Sequence, residues 1–158
     1  MYQIFKDVAE FHERFGLEWT GPLRFLDPEM AKFRHGFSVE ESDEWLVKNE
    51  LGLKLSQSVP VANGDDLLVR DALAEQLDAF VDQLYVMVGT MYLQGFTVEQ
   101  FEKAWERVHS ANMTKVRAES AADSKRGSSF DVVKPADWVP PCHLDLIPAY
   151  VVPSTDEG

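Results

Sequence analysis

The chain has one cysteine, little basic charge and no long apolar run, and each shortage excludes a class of protein. Cys142 is the only cysteine among 158 residues, so neither an intrachain disulfide nor a cysteine-based zinc site can form. Residues 1–9 carry charges among their apolar positions, which is unlike a secretory signal, and nowhere is an apolar stretch long enough to span a membrane. We therefore expect no membrane partner and a reducing compartment, the cytoplasm, or the host cytoplasm if a phage encodes the chain.

The charge balance is acidic, with a formal net charge of -12 and a sequence pI near 4.6. A nucleic-acid-binding surface needs a basic footprint, so a nucleic acid polymer is not an expected partner. A small phosphate ester is still compatible if metal ions or local cations neutralise it. Basic residues concentrate between the last predicted helix and the Pro-rich end, at Lys115, Arg117, Lys125, Arg126 and Lys134.

Helical spacing dominates the chain, and strand-like alternation is scarce. Apolar periodicity, caps and glycine stops predict helices over residues 4–15, 28–49, 66–93 and 98–112. Residues 60–66 are a predicted loop in which Asp65 or Asp66 caps the third helix, Gly95 ends that helix, and the capping-box pattern Thr97-x-x-Gln100 starts the fourth. Asp27-Pro28 reads as an N-cap with proline at the first helical position, although Gly36 and a restart at Ser38 leave a kink open. We predict one all-α domain over residues 1–158, four-helix-bundle-like over about 3–113, with an extended, loop-rich, Pro-rich tail over 114–158.

Two acidic clusters fall at spacings that place carboxylates on one helix face. Glu40, Glu41 and Glu44 share an arc of about 100° on the second helix. On the third helix, four acids share an arc of about 60°; they are Asp71, Glu75, Asp78 and Asp82. Because like charges at i, i+4 destabilise a helix by about 0.2–0.5 kcal/mol per pair, a bound cation would offset a real cost.

Two interpretations of these clusters stay open. An acidic stripe is commonly a solvated helix face. However, no Lys or Arg lies between Asp71 and Asp82, and the following residues 84–93 are apolar nearly all round, which favours a buried helix. Carboxylates on a buried helix need partners, and hard cations such as Mg²⁺ or Mn²⁺ take oxygen ligands.

Other catalytic chemistries lack their motifs. A di-iron bundle needs Glu-x-x-His on two helices, and only Glu106-x-x-His109 is present. The chain has no nucleophile elbow and no Gly-rich phosphate loop. His12, His35 and His143 lie in no ligand spacing, so we predict surface or tail histidines.

The order of several motifs over about residues 33–144 resembles the MazG-like nucleotide pyrophosphohydrolases. More closely, it is similar to their bacterial and phage branch, described as phosphoribosyl-ATP pyrophosphohydrolase-like. In chain order the motifs are Arg34, Glu40-Glu41-x-x-Glu44, Asp78-x-x-x-Asp82-x-Leu84-Tyr85, Ser110-x-Asn112-Met113-x-Lys115 and Lys134-Pro135-x-x-Trp138.

This resemblance implies an all-α enzyme that hydrolyses a nucleoside triphosphate to the monophosphate and pyrophosphate. It implies that Mg²⁺, or Mn²⁺ in its place, is held by Glu40, Glu41, Glu44 and Asp82, with one of the three glutamates as the catalytic base. It implies substrate contacts from Arg34, Tyr85, Asn112, Lys115 and Lys134. Members of the family assemble as dimers or tetramers, so a homodimer or homotetramer is expected.

The chain departs from the family pattern at one position. The family often has Glu-x-x-Asp ending just before the Leu-Tyr pair; Asp82 holds the place of that Asp, but position 79 is Ala79. Either Asp78 or Glu75 could supply the missing carboxylate, and we favour Asp78 because it keeps the same helix face.

Two alternative functions remain from the sequence. One is an all-α dUTPase-like enzyme with the same carboxylates and a uracil-selective pocket. The other is a non-catalytic acidic helical bundle that acts as an interaction protein.

Overall fold

The computed structural model describes residues 2–58 and 67–149 and is mostly helical, as the all-α prediction requires. Four helices occur in this part of the chain: α1 (Tyr2–Arg14), α2 (Pro28–Ser58), α3 (Leu67–Leu93) and α4 (Val98–Met113). Two short strands follow, β1 (Val116–Arg117) and β2 (Val132–Val133), with 3₁₀ turns at Ala121–Asp123 and Leu144–Leu146. No helix within these residues has the length and apolar character needed to cross a membrane.

The chain forms two compact units, one over residues 1–96 and one over 97–158. The prediction of a single domain over 1–158 remains a prediction.

In the first unit, α2 packs mainly against α3, and α1 also packs against α3. α2 begins as predicted, since the Asp27 carboxylate accepts a hydrogen bond from the Met30 amide at 2.9 Å. The helix runs without interruption through Gly36 and extends nine residues beyond the predicted end at Asn49. The predicted loop over residues 60–66 and its caps lie outside the described residues.

The first unit buries few large side chains. Its buried apolar residues are Phe5, Val8, Ala72, Ala79, Val88 and Leu93. Gly95, with φ +83, ends α3 as predicted. Arg24, in the segment between α1 and α2, connects this segment to α3, because its Nε donates a hydrogen bond to the Leu93 carbonyl at 2.9 Å.

In the second unit, α4 begins with the predicted capping box between Thr97 and Gln100. The segment that follows β2 is hydrogen-bonded back onto α4. Arg107 donates to both oxygens of Asp145, at 2.6 and 2.7 Å, and these bonds lower the pKa of Asp145 to about 2. The helical spacing of Phe101, Trp105 and Val108 predicts a core face on α4, but Trp105 is 53% exposed.

The tail was predicted to be loop-rich, and most of it is. β1 and β2 nevertheless pair as an antiparallel ribbon, with Val116 opposite Val133 and Arg117 opposite Val132. The sequence pattern of the tail does not predict this ribbon.

Candidate metal centre

Glu41 is the centre of the acidic cluster. It lies half-buried on α2, the helix that packs against α3. Burial raises the pKa of the Glu41 carboxyl, and the charges of Asp82, Glu44, Glu40 and Asp78 raise it further. The five carboxylates assigned to the metal from sequence are therefore electrostatic neighbours across two helices.

One oxygen of Glu41 lacks a partner. Its Oε2 is buried and accepts no hydrogen bond from any residue in the described ranges. An unpaired buried carboxylate oxygen is costly, because water is lost and nothing replaces it. A cation is the partner that would remove both this cost and the repulsion from the surrounding acids.

The side chains as placed do not form a closed coordination sphere. Across residues 2–58 and 67–149, no three Asp, Glu, His or Cys side chains are grouped closely enough to hold a metal ion. Glu40, Glu44, Asp78 and Asp82 are all exposed, so their side chains have room to turn. The donor set, all carboxylate oxygens, fits Mg²⁺ or Mn²⁺ chemically.

Glu75 and Asp78, the two candidates for the additional metal ligand on α3, have different partners. Glu75 accepts a hydrogen bond from Lys48 Nζ at 3.0 Å, and this bond is the main reason that the pKa of Lys48 is raised. Asp78 instead acts electrostatically on Glu41. The charge of Glu75 is thus paired with Lys48, whereas the charge of Asp78 raises the pKa of Glu41.

A cavity of about 690 Å³ reaches this cluster at Glu40. Its apolar lining includes Met30, Phe33 and Phe37, and the two phenylalanine rings lie edge to face with centroids 4.8 Å apart. This volume falls in the range of about 300–1,000 Å³ typical of small-molecule sites. The cavity also has charged lining residues, Asp27, Glu29, Lys32 and Glu40, and it adjoins the carboxylate cluster on α2.

No family model matches this chain, and a search of the curated proteins finds no match either. The likeness to MazG-like enzymes therefore rests on the motif residues themselves.

Arg34 is held by α3. Its Nη2 donates to the Val86 carbonyl at 2.6 Å and its Nε to Thr90 Oγ1 at 3.0 Å. Burial lowers the pKa of Arg34. These bonds cross-link α2 to α3, and a substrate contact from Arg34 stays a prediction.

His12 corrects the prediction of a surface histidine. It is only 2% exposed, and its Nδ1 lies 3.3 Å from the Leu17 carbonyl oxygen. Burial is the main reason that the pKa of His12 is lowered, and the nearby charge of Arg34 lowers it further. Burial and the neighbouring guanidinium therefore both favour the neutral form of the His12 imidazole.

Tyr85, another predicted substrate contact, lies against α1. Its ring meets Phe11 edge to face at 5.5 Å, and its hydroxyl lies 3.5 Å from the Asp7 carbonyl oxygen. These contacts give it a packing role in the first unit, and its substrate role stays a prediction.

The other three predicted substrate residues belong to the second unit. Asn112 is exposed in the last turn of α4. Lys115 and Lys134 both approach the ring of Trp138, with their Nζ atoms 5.9 and 4.0 Å from its centroid. Trp138 itself is fixed by a hydrogen bond from its indole nitrogen to the Ala111 carbonyl at 2.9 Å.

The sequence motifs do not indicate Phe33 and Phe37 as site residues. A signal is nevertheless present, because Phe33, Phe37 and Glu40 follow i, i+4, i+7 spacing and so share one helix face.

Proposed function

We propose that this protein is a Mg²⁺-dependent (deoxy)nucleoside triphosphate pyrophosphohydrolase with a MazG-like fold. The observation that carries the proposal is the buried, unpartnered oxygen of Glu41 among four other carboxylates. A cluster of this kind on two packed helices is unfavourable without a cation. The motif order described above supports the same function.

The five carboxylates Glu40, Glu41, Glu44, Asp78 and Asp82 are the residues that would hold the ion. When bound, Mg²⁺ (or Mn²⁺) neutralises phosphate oxygens and polarises the phosphorus. A glutamate of the α2 cluster would take a proton from the attacking water, and Glu40, Glu41 and Glu44 are the candidates for this role. Attack of this water on a phosphorus of the α–β bridge would form a new P–O bond and break the bridging P–O bond, which gives the monophosphate and pyrophosphate.

The cavity beside Glu40 is the proposed place for the nucleobase. Phe33 and Phe37 offer aromatic surface, and stacking or edge contacts with such rings are favourable for any base. A base bound there would bring its phosphates toward the α2 carboxylates.

The test is an assay of the purified protein with each dNTP and with dUTP in the presence of MgCl₂, with monophosphate and pyrophosphate measured. We expect both products with at least one nucleotide, and none after addition of EDTA. Glu41→Gln should abolish turnover with the helical circular dichroism unchanged. Glu50→Gln, an exposed glutamate on the same helix outside the cluster, is the matched control and should retain activity.

Two results would change the proposal. Release of monophosphate and pyrophosphate from dUTP and from no other nucleotide would indicate a dUTPase-like enzyme. No release from any nucleotide, together with no effect of Mg²⁺ on the melting temperature, would leave a non-catalytic acidic helical protein.

We also propose a homodimer, or a homotetramer built from it, with α3 at the contact. Five exposed apolar residues of α3 follow the 4-3-4-3 spacing of a coiled-coil seam; they are Leu73, Leu77, Phe80, Leu84 and Met87, exposed by 58, 65, 51, 38 and 55%. Solvent exposure of these five apolar side chains is unfavourable in a monomer, and contact with a second copy of the chain would bury them. Sedimentation should give at least twice the chain mass of 17.9 kDa at micromolar concentration.

The cytoplasm is the compartment that we propose for this activity. The exposed free thiol of Cys142 suits a reducing environment.

A further inference from the structure

The second unit contains a cavity of about 460 Å³ beside the β1–β2 ribbon, in which basic side chains predominate. Four cations and two carboxylates line it; they are Lys115, Lys125, Arg126, Lys134, Asp123 and Asp131. The formal charge of this lining is positive, in a chain whose net charge is -12. Gathering cations at one cavity of so acidic a protein favours an anionic ligand.

Both acids of the cavity are engaged in holding the loop between the strands. Asp123 Oδ2 accepts hydrogen bonds from the amide and the hydroxyl of Ser120, both at 2.8 Å. Asp131 accepts from the buried Ser124 hydroxyl at 2.7 Å and from Arg126 Nη1 at 3.0 Å, and these bonds lower its pKa. Both carboxylates therefore accept hydrogen bonds within the cavity wall, and the charge of Asp131 is also paired with Arg126.

The three lysines of the cavity differ from the two acids in their contacts. Among the described residues of the second unit, Lys115, Lys125 and Lys134 make no ion pair with a carboxylate. Lys115 and Lys134 are positioned instead by the ring of Trp138, an attraction that leaves the ammonium hydrogens free to donate to a ligand.

The guanidinium of Arg126 is oriented by Asp131 at the same cavity. Only its Nη1 is used in that pair, and the side chain is 78% exposed. The remaining N–H donors suit the paired oxygens of a phosphate group.

We propose that this cavity binds a di- or triphosphate group, with Lys125 and Arg126 as ligands that the sequence motifs did not indicate. Several cations around one cavity match a polyanionic ligand better than they match a ligand with a single carboxylate group. The group could come from a nucleotide or from inorganic polyphosphate. The site needs neither the carboxylate cluster nor catalysis.

The test is calorimetric titration of the full chain with inorganic tripolyphosphate in EDTA, repeated in a Glu41→Gln background. Binding should persist in both, since the carboxylate cluster takes no part. Lys125→Gln should weaken binding about tenfold, because a charge-assisted hydrogen bond is lost. The matched control is Lys103→Gln, an exposed lysine of α4 outside the cavity lining, which should bind as the parent does.

A second titration with a non-hydrolysable nucleoside triphosphate identifies the source of the phosphates. Tighter binding than tripolyphosphate would assign the cavity to a nucleotide, and equal binding would assign it to the phosphate group alone. Absence of binding by both, or equal loss in Lys125→Gln and Lys103→Gln, would overturn the site. Failure here with dNTP hydrolysis intact would leave the proposed function standing.

Discussion

Gly89 on α3 is the position where the packing makes the sharpest stability prediction. A Cβ added there would lie 2.9 Å from Arg34 Nη2 and 2.9 Å from His12 Nε2. Neither atom can withdraw cheaply, because Arg34 is bound to the Val86 carbonyl at 2.6 Å and the His12 ring is buried. Gly89→Ala should therefore destabilise the protein, although alanine is the better helix former.

The magnitude follows from two opposing effects. Replacing a mid-helix glycine by alanine normally stabilises by about 0.5–1 kcal/mol. Overpacking a buried site costs about 1–3 kcal/mol. We expect a net loss of about 1–2 kcal/mol, which lowers the melting temperature by roughly 2–8 °C for a chain of this size.

Gly36 on α2 is the matched control. It is helical and exposed, and an added Cβ would meet nothing within 4 Å. Gly36→Ala should therefore raise stability by about 0.5–1 kcal/mol. Thermal and urea unfolding of both variants measure the difference.

The reasoning fails if Gly89→Ala is as stable as Gly36→Ala. A double-mutant cycle locates the cause, since Gly89→Ala should cost less in an Arg34→Met background if the guanidinium is the obstacle. An unchanged cost would place the clash on His12 alone.

Three further predictions concern charge and assembly. Glu41→Gln should raise the melting temperature of the metal-free protein at neutral pH, because the raised pKa of Glu41 means that the folded state disfavours the ionised carboxyl. The same variant should remove the rise in melting temperature that Mg²⁺ produces. An unchanged metal-free melting temperature would contradict this. The lowered pKa of His12 means that the unfolded state binds a proton at a higher pH than the folded state does, so stability should fall as the pH drops below about 6.5. This loss of stability should be smaller in His12→Gln. Urea unfolding at pH 7.5 and 5.5 measures both. Leu77→Glu should dissociate the proposed oligomer in sedimentation, whereas Leu53→Glu, an exposed leucine of α2 outside the stripe, should not.

The helix ends could be predicted from sequence where a cap has a local chemical signature. The Thr97–Gln100 capping box and the Asp27 cap are formed by side chains within three residues of the amides they bind. Such short-range bonds depend little on the rest of the fold. Their prediction therefore held.

The extension of α2 beyond Asn49 could not be predicted in this way. Gly52 weakens the local helix signal, but the residue is buried, and an added Cβ would lie 3.3 Å from Ala72 Cβ on α3. Close packing of two helices at a small residue overrides the low propensity of glycine. Only the tertiary contact explains it.

The same distinction applies to the site. Spacing along one helix predicted that Glu40, Glu41 and Glu44 share a face, and the structure adds that Asp82 acts on Glu41 from the neighbouring helix. The β1–β2 ribbon was missed because strands of two residues show no alternation. The burial of His12 could have been predicted, because His12 follows Phe5 by seven residues and Val8 by four and so shares the buried face of α1.

Cys142 makes the second unit accessible to chemical labelling. As the single, exposed thiol of the chain, it would take one maleimide dye per protomer without any engineered substitution. The Cys142 carbonyl accepts a hydrogen bond from Arg107 Nη1 at 2.6 Å, beside the Asp145 pair. Fluorescence anisotropy of a dye at this position would thus report how firmly the segment after β2 is fastened to α4.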